Sequence, residues 1–77
     1  MIRDEVFMRR YLINTRKTLG YTQEQVAKEI GISQRAYSMI ELNQINPSWE
    51  VAQRLEKFFG IPAGELLAVE PEQPASQ

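Results

Sequence analysis

Apolar residues recur along this chain at three- and four-residue intervals, interrupted at glycine and proline, and the pattern predicts a series of short helices. Met8, Leu12, Thr15 and Leu19 form one stripe with Tyr11 beside it, predicting a first helix over residues 3–19. Asp4 and Glu5 near its start and Arg16 and Lys17 near its end suit the helix dipole, and Gly20 ends it. Val26, Ala27 and Ile30 share one face of a second helix, about residues 22–30. A third, about 33–42, turns Tyr37, Ile40 and Ala36 inward and Gln34, Arg35, Ser38 and Met39 outward. Val51, Ala52, Leu55, Phe58 and Phe59 make the apolar face of a fourth, which Ser48 caps and Gly60 ends. Pro62 opens a short fifth helix through Leu67. Trp49 is assigned to the core. Val6 and Phe7 are read as packing rather than as an exposed patch. Residues 70–77 are polar and proline-rich and are expected to be a disordered tail.

The second and third helices carry dense local signals. Thr22-x-x-Gln25 has the form of a capping box, with Tyr21 and Val26 placed for a hydrophobic staple. Gly31 stands where a chain leaves a helix through positive φ. Ser33 then caps the next helix, with Ile32 and Tyr37 as a second staple. Helix, tight glycine turn and capped helix make a helix-turn-helix, in which the second helix lies in the DNA major groove.

Composition narrows the function. Seventy-seven residues make one small domain. Without Cys there is no disulfide framework, thiolate metal site or cysteine nucleophile; without His the commonest general base and metal ligand are missing too. The residues show no nucleophile–base pair, metal cluster or phosphate loop, so a non-enzyme with no cofactor or metal is expected, and no small-molecule ligand is evident. No apolar run approaches the ~20 residues of a membrane span, and no signal-peptide pattern opens the chain, so a cytoplasmic, nucleoid-associated protein is expected. The net charge of −1 taken alone argues against nucleic acid. Its distribution mildly favours it. Residues 1–37 carry seven Lys or Arg against four Asp or Glu, and residues 38–77 carry two against six, so +3 and −4 give the overall −1. The basic half holds the third helix up to Tyr37.

The segment resembles the helix-turn-helix of the lambda-type phage repressors, Cro proteins and their bacterial relatives, the XRE-type regulators. Gln23, Ala27, Gly31, Ile32, Gln34, Tyr37 and Ile40 match at that family's spacing. The likeness extends through Leu12 to Arg16, Gly20-Tyr21-Thr22-Gln23, Ile40-Glu41, Pro47-Ser48 and Leu66-Leu67, about residues 8–68. It implies an ion pair between Arg16 and Glu41 that braces the first helix against the third. It also implies that Gln23 meets a phosphate and bridges to Gln34. Gln34 would read adenine N6 and N7 with its amide. Arg35 can meet guanine O6 and N7 or a single phosphate. Met39 can touch a thymine methyl or fill the core edge, and Ser38 beside it is a weaker reader. Thr22 and the loop residues Asn43, Gln44 and Asn46 are candidate phosphate contacts; simple turn chemistry accounts for the loop residues nearly as well. Asn43 takes a place where the family commonly has glycine, and no Lys or Arg lies in residues 42–47. Phe58, Phe59, Ile61, Leu66 and Leu67 are the expected dimer surface.

The expectation is therefore an all-α, five-helix bundle over residues 1–69 that binds double-stranded DNA. It would act as a sequence-specific transcriptional regulator, a repressor bound as a homodimer to a two-fold operator. The alternative is a protein-interaction module on the same fold, such as an antitoxin-like partner of a toxin.

Overall fold

The computed structural model describes residues 7–71. Asp4, Glu5 and Val6 lie outside the described residues, as does the expected tail beyond Pro71. Five helices follow one another: α1 Arg10–Thr18, α2 Gln23–Ile30, α3 Gln34–Glu41, α4 Trp49–Phe59 and α5 Ala63–Leu66. Two dipeptides frame them, β1 Phe7–Met8 and β2 Glu70–Pro71, paired antiparallel with Phe7 opposite Pro71 and Met8 opposite Glu70. The architecture is an all-α bundle closed by this short clasp.

Each helix sends its apolar face to one core. Leu12 comes from α1, Val26, Ala27 and Ile30 from α2, Tyr37 and Ile40 from α3, Leu55 from α4 and Leu66 from α5. Ile32, Val51, Phe58, Phe59, Ile61 and Leu67 pack around it, half-buried. The Phe58 ring lies 5.0 Å from that of Tyr21 and 4.9 Å from that of Phe59. Aromatic pairs at such tilted and edge-on angles extend the core toward α2.

Three expectations fail, two of them because of the clasp. The first helix begins at Arg10, not residue 3, because the backbone of Phe7–Met8 is committed to the β2 pairing. The predicted stripe loses its end with it: Leu19 is the C-cap residue rather than part of the last turn, and it and Tyr11 are exposed. Trp49 is not core; it is 75% exposed. It is the first residue of α4 and sits about 120° around the helix from Leu55, at ~100° per residue. Finally, the tail assignment starts too early, since Glu70 and Pro71 belong to the clasp.

Candidate nucleic-acid interface

Helix α2 is capped at both ends, and α3 at its start. The Thr22 hydroxyl accepts from the Gln25 backbone N–H at 3.0 Å, and the Gln25 side chain accepts from the Thr22 N–H at 2.8 Å. This reciprocal box satisfies two donors that a helix start leaves free. At the other end Gly31 adopts φ +80°. The Ile32 N–H reaches the Ala27 carbonyl and the Gly31 N–H the Lys28 carbonyl, a Schellman closure. Ser33 follows at once, and its hydroxyl accepts from the Ala36 N–H at 3.0 Å. Only residues 31–33 lie between the two helices, and all three take part in these caps or closures.

One face of α3 is buried through Tyr37, Ile40 and Glu41. The opposite face carries Gln34 and Arg35, both exposed, with Ser38 and Met39 half-buried behind them. Gln23, Gln34, Arg35, Ser38, Met39 and Gln44 line a single shallow depression.

Behind this face stands a buried carboxylate. Glu41 is 2% exposed. Arg16 Nε donates to its Oε2 at 2.6 Å and Arg16 Nη2 to its Oε1 at 3.2 Å, a two-pronged pair joining α1 to α3. Arg16 Nη1 donates to the Tyr21 carbonyl at 3.0 Å. The hydrogen bond to Glu41 holds the Arg16 guanidinium more firmly protonated than usual, against burial, which acts the other way. Gln23 Nε2 also donates to Glu41 Oε1, at 2.9 Å. Among the described residues no hydrogen bond joins Gln23 to Gln34; the expected amide bridge is replaced by this inward contact. A carboxylate can only accept, so the Gln23 nitrogen must be the atom turned toward it. The Tyr37 hydroxyl is buried beside this group with no hydrogen-bond partner. Burial first, and then the Glu41 carboxylate, push its pKa well above the usual phenol value.

The loop after α3 is largely self-satisfied. Asn43 takes φ +60°, the conformation that glycine would otherwise supply. Its N–H goes to the Ile40 carbonyl, and those of Gln44 and Ile45 to the Met39 carbonyl. These amides are therefore engaged internally. Gln44 is exposed, Asn43 half-buried, and Asn46 Oδ1 accepts from Arg9 Nη2 at 2.9 Å. Thr22 is exposed with its oxygen already serving as a cap.

Arg9 is the residue that sequence reasoning missed. It is buried, and donates to the Leu67 carbonyl (3.1 Å), the Ile40 carbonyl (2.8 Å), the Ile45 carbonyl (3.3 Å) and Asn46. Burial lowers its pKa. Adjacent to Arg10, it has no period or motif that would set it apart from a surface cation.

Of the five residues expected at a dimer surface, Leu66 is fully buried and cannot meet a partner. Short as α5 is, Leu66 points into the core between α1 and α4. Phe58, Phe59, Ile61 and Leu67 keep part of their surface open. Among the described residues no helix is long and apolar enough to cross a membrane.

Two capped helices about a left-handed glycine, with a polar face on the second and a buried Arg–Glu brace behind it, define a helix-turn-helix protein. The helix-turn-helix family profile matches residues 12–66, and the chain belongs to that family. An uncharacterised HTH-type transcriptional regulator of Methanocaldococcus jannaschii is 33% identical over 52 residues, 68% of this chain and 79% of that protein. The transcriptional repressor RstR of the cryptic phage CTXphi of Vibrio cholerae is 37% identical over 46 residues, 60% of this chain but only 41% of that repressor. A further uncharacterised HTH-type regulator, from Archaeoglobus fulgidus, is 27% identical over 66 residues, 86% of this chain and 94% of that protein. No solved structure matches the chain.

Proposed function

We propose that this protein is a DNA-binding transcriptional regulator, a repressor that places α3 in the major groove of a two-fold operator as a homodimer. The observation that carries this reading is the exposed pair Gln34 and Arg35 at the start of α3, beside Ser38 and Met39 and rimmed by Gln23 and Gln44. An amide and a guanidinium are the side chains suited to adenine and guanine edges in that groove. Relatives named as transcriptional regulators, one of them a repressor, support it.

In this reading Gln34 and Arg35 specify, Ser38 and Met39 add contacts, and Thr22, Gln23, Asn43, Gln44 and Asn46 position the protein on phosphates. Arg16 and Glu41 hold α3 at its angle. Phe58, Phe59, Ile61 and Leu67 supply the dimer contact, and the protein works in the cytoplasm, on the nucleoid.

Selection of bound duplexes from a random library, followed by a low-salt gel shift, tests it. A recovered site with two-fold symmetry supports both DNA reading and dimerisation. Recovery of no duplex favours the second reading, a module that binds another protein through the same face. That reading draws on the net charge of −1 and on a loop that holds no Lys or Arg over residues 42–47.

A further inference from the structure

Arg9 ties together the end of α3, the loop that follows it and the end of α5. Helix α3 ends with four carbonyls that have no partner within the helix. Those of Ser38, Met39 and Ile40 accept from Leu42, Gln44 and Asn43 as the chain curls into the loop, while the Glu41 carbonyl accepts from the Arg9 backbone N–H at 3.0 Å. The guanidinium of the same residue adds a bond to Ile40, crosses to Ile45 and Asn46, and reaches back to Leu67, the C-cap of α5. A planar fork with five donors can hold four acceptors in fixed relation; an ammonium cannot. The cation also sits at the C-terminal end of α3, where the dipole favours it.

The contact with Asn46 has a chemical consequence. Arg9 can only donate, so Oδ1 of Asn46 is the atom held, and the Nδ2 amide is left as the open end. Asn46 is exposed and lies in the loop that follows the reading helix. A donor-only tip there suits a phosphate oxygen, in a loop with no cation and with the N–H groups of Asn43, Gln44 and Ile45 already engaged.

We propose that Arg9 is a positioning residue for DNA binding: it braces the 42–47 loop against the end of α3 and fixes the Asn46 amide with its N–H groups outward, toward the phosphate backbone. This rests on the DNA-binding reading above. Phosphate contacts are blind to sequence, so the effect is on affinity for every duplex and not on base choice.

The test uses the full chain with Arg9→Lys and Asn46→Asp, at a temperature where all three proteins are folded. Arg9→Lys keeps the charge and loses the fork. Amide hydrogen exchange at Gln44 and Ile45 should speed up about tenfold, the size expected for one lost charge-assisted hydrogen bond, while α2 amides stay unchanged. Affinity for a selected duplex and for random duplex should fall by the same factor, again about tenfold. Asn46→Asp retains an acceptor for Arg9 and so melts at or above the wild-type temperature, yet loses affinity for both duplexes because it has no donor. Unchanged loop exchange in Arg9→Lys overturns the proposal, as does wild-type DNA affinity in either variant or a loss confined to the selected site. A wild-type chain that binds no duplex overturns the DNA reading and the phosphate role with it; the exchange rates then separate that failure from a failure of the brace.

Discussion

Gln23 turns its side-chain nitrogen onto the buried carboxylate of Glu41, 2.9 Å from Oε1. The first residue of α2 is thereby tied to the last residue of α3, on a carboxylate that Arg16 already holds from α1. Three helices meet at one side chain. The angle between α2 and α3 thus depends on a polar group as well as on the apolar core.

Glu41→Ala leaves the Arg16 guanidinium in its buried place without its carboxylate. Loss of one side of a buried pair removes about 3–5 kcal/mol. The variant should melt well below the wild type, and should do so without DNA present. An unaltered melting temperature would show that the pair is solvated and contributes little.

Tyr37 should make the fold sensitive to alkali. Its folded pKa is raised, so the folded state holds the phenolic proton longer than the unfolded chain does. The contribution is full below about pH 10, the unfolded value, and is lost as pH rises beyond it. Urea midpoints measured at pH 7 and about pH 11 should therefore diverge in the wild type and much less in Tyr37→Phe. At pH 7 Tyr37→Phe should be neutral or slightly stabilising, since it removes a buried hydroxyl with no hydrogen-bond partner. A clear loss of stability at pH 7 would mean that the hydroxyl is bonded after all.

Trp49 is the single tryptophan of the chain and stands in water. Its fluorescence should peak near the position of free indole, and acrylamide should quench it almost as fast in the folded as in the unfolded protein. Trp49→Ala should shift stability by less than about 0.5 kcal/mol, as surface changes do. A blue emission maximum that shifts only above a threshold protein concentration would place the indole in a self-association contact.

Leu66 should act through the core of a single chain and not through association. Leu66→Ala empties a fully buried site and should lose about 2–5 kcal/mol in urea denaturation, whatever the protein concentration. If sedimentation instead shows only weakened association with stability intact, Leu66 faces a partner rather than the core.

Gln34→Ala and Arg35→Ala should leave the melting temperature unchanged and weaken binding to a selected duplex. Each should relax preference at its own base position, by about 1–3 kcal/mol for a two-point base contact. If Arg35 meets phosphate, its loss instead falls equally on all duplexes and lowers the salt slope by about one. The wild-type salt dependence should be shallow, because few cations line the face.

The local signals proved sufficient for much of the fold. Caps at Thr22, Ser33 and Ser48 and left-handed exits at Gly31, Asn43 and Gly60 act over a few residues, so their side-chain chemistry is readable in order along the chain. The same holds for the core faces of α2 and α3, where the helical period alone sorts Val26, Ile30, Tyr37 and Ile40 from Gln34 and Arg35. The clasp was not readable. Two-residue strands have no period, and their pairing joins Phe7–Met8 to Glu70–Pro71 across nearly the whole chain.

What the order of amino acids determined by itself is therefore the helix-turn-helix: where each helix starts and stops, and which face is polar. Tertiary structure alone decided how polar groups pair at long range. It sent the Gln23 nitrogen to Glu41 rather than to Gln34, drew Arg9 inward among four acceptors from the end of α3, the following loop and the end of α5, and left Trp49 outside. The reason is physical. A cap or an apolar period involves neighbours a few positions apart. A buried donor finds its acceptor only among carbonyls and carboxylates that packing has brought together, and no local pattern encodes which ones those are.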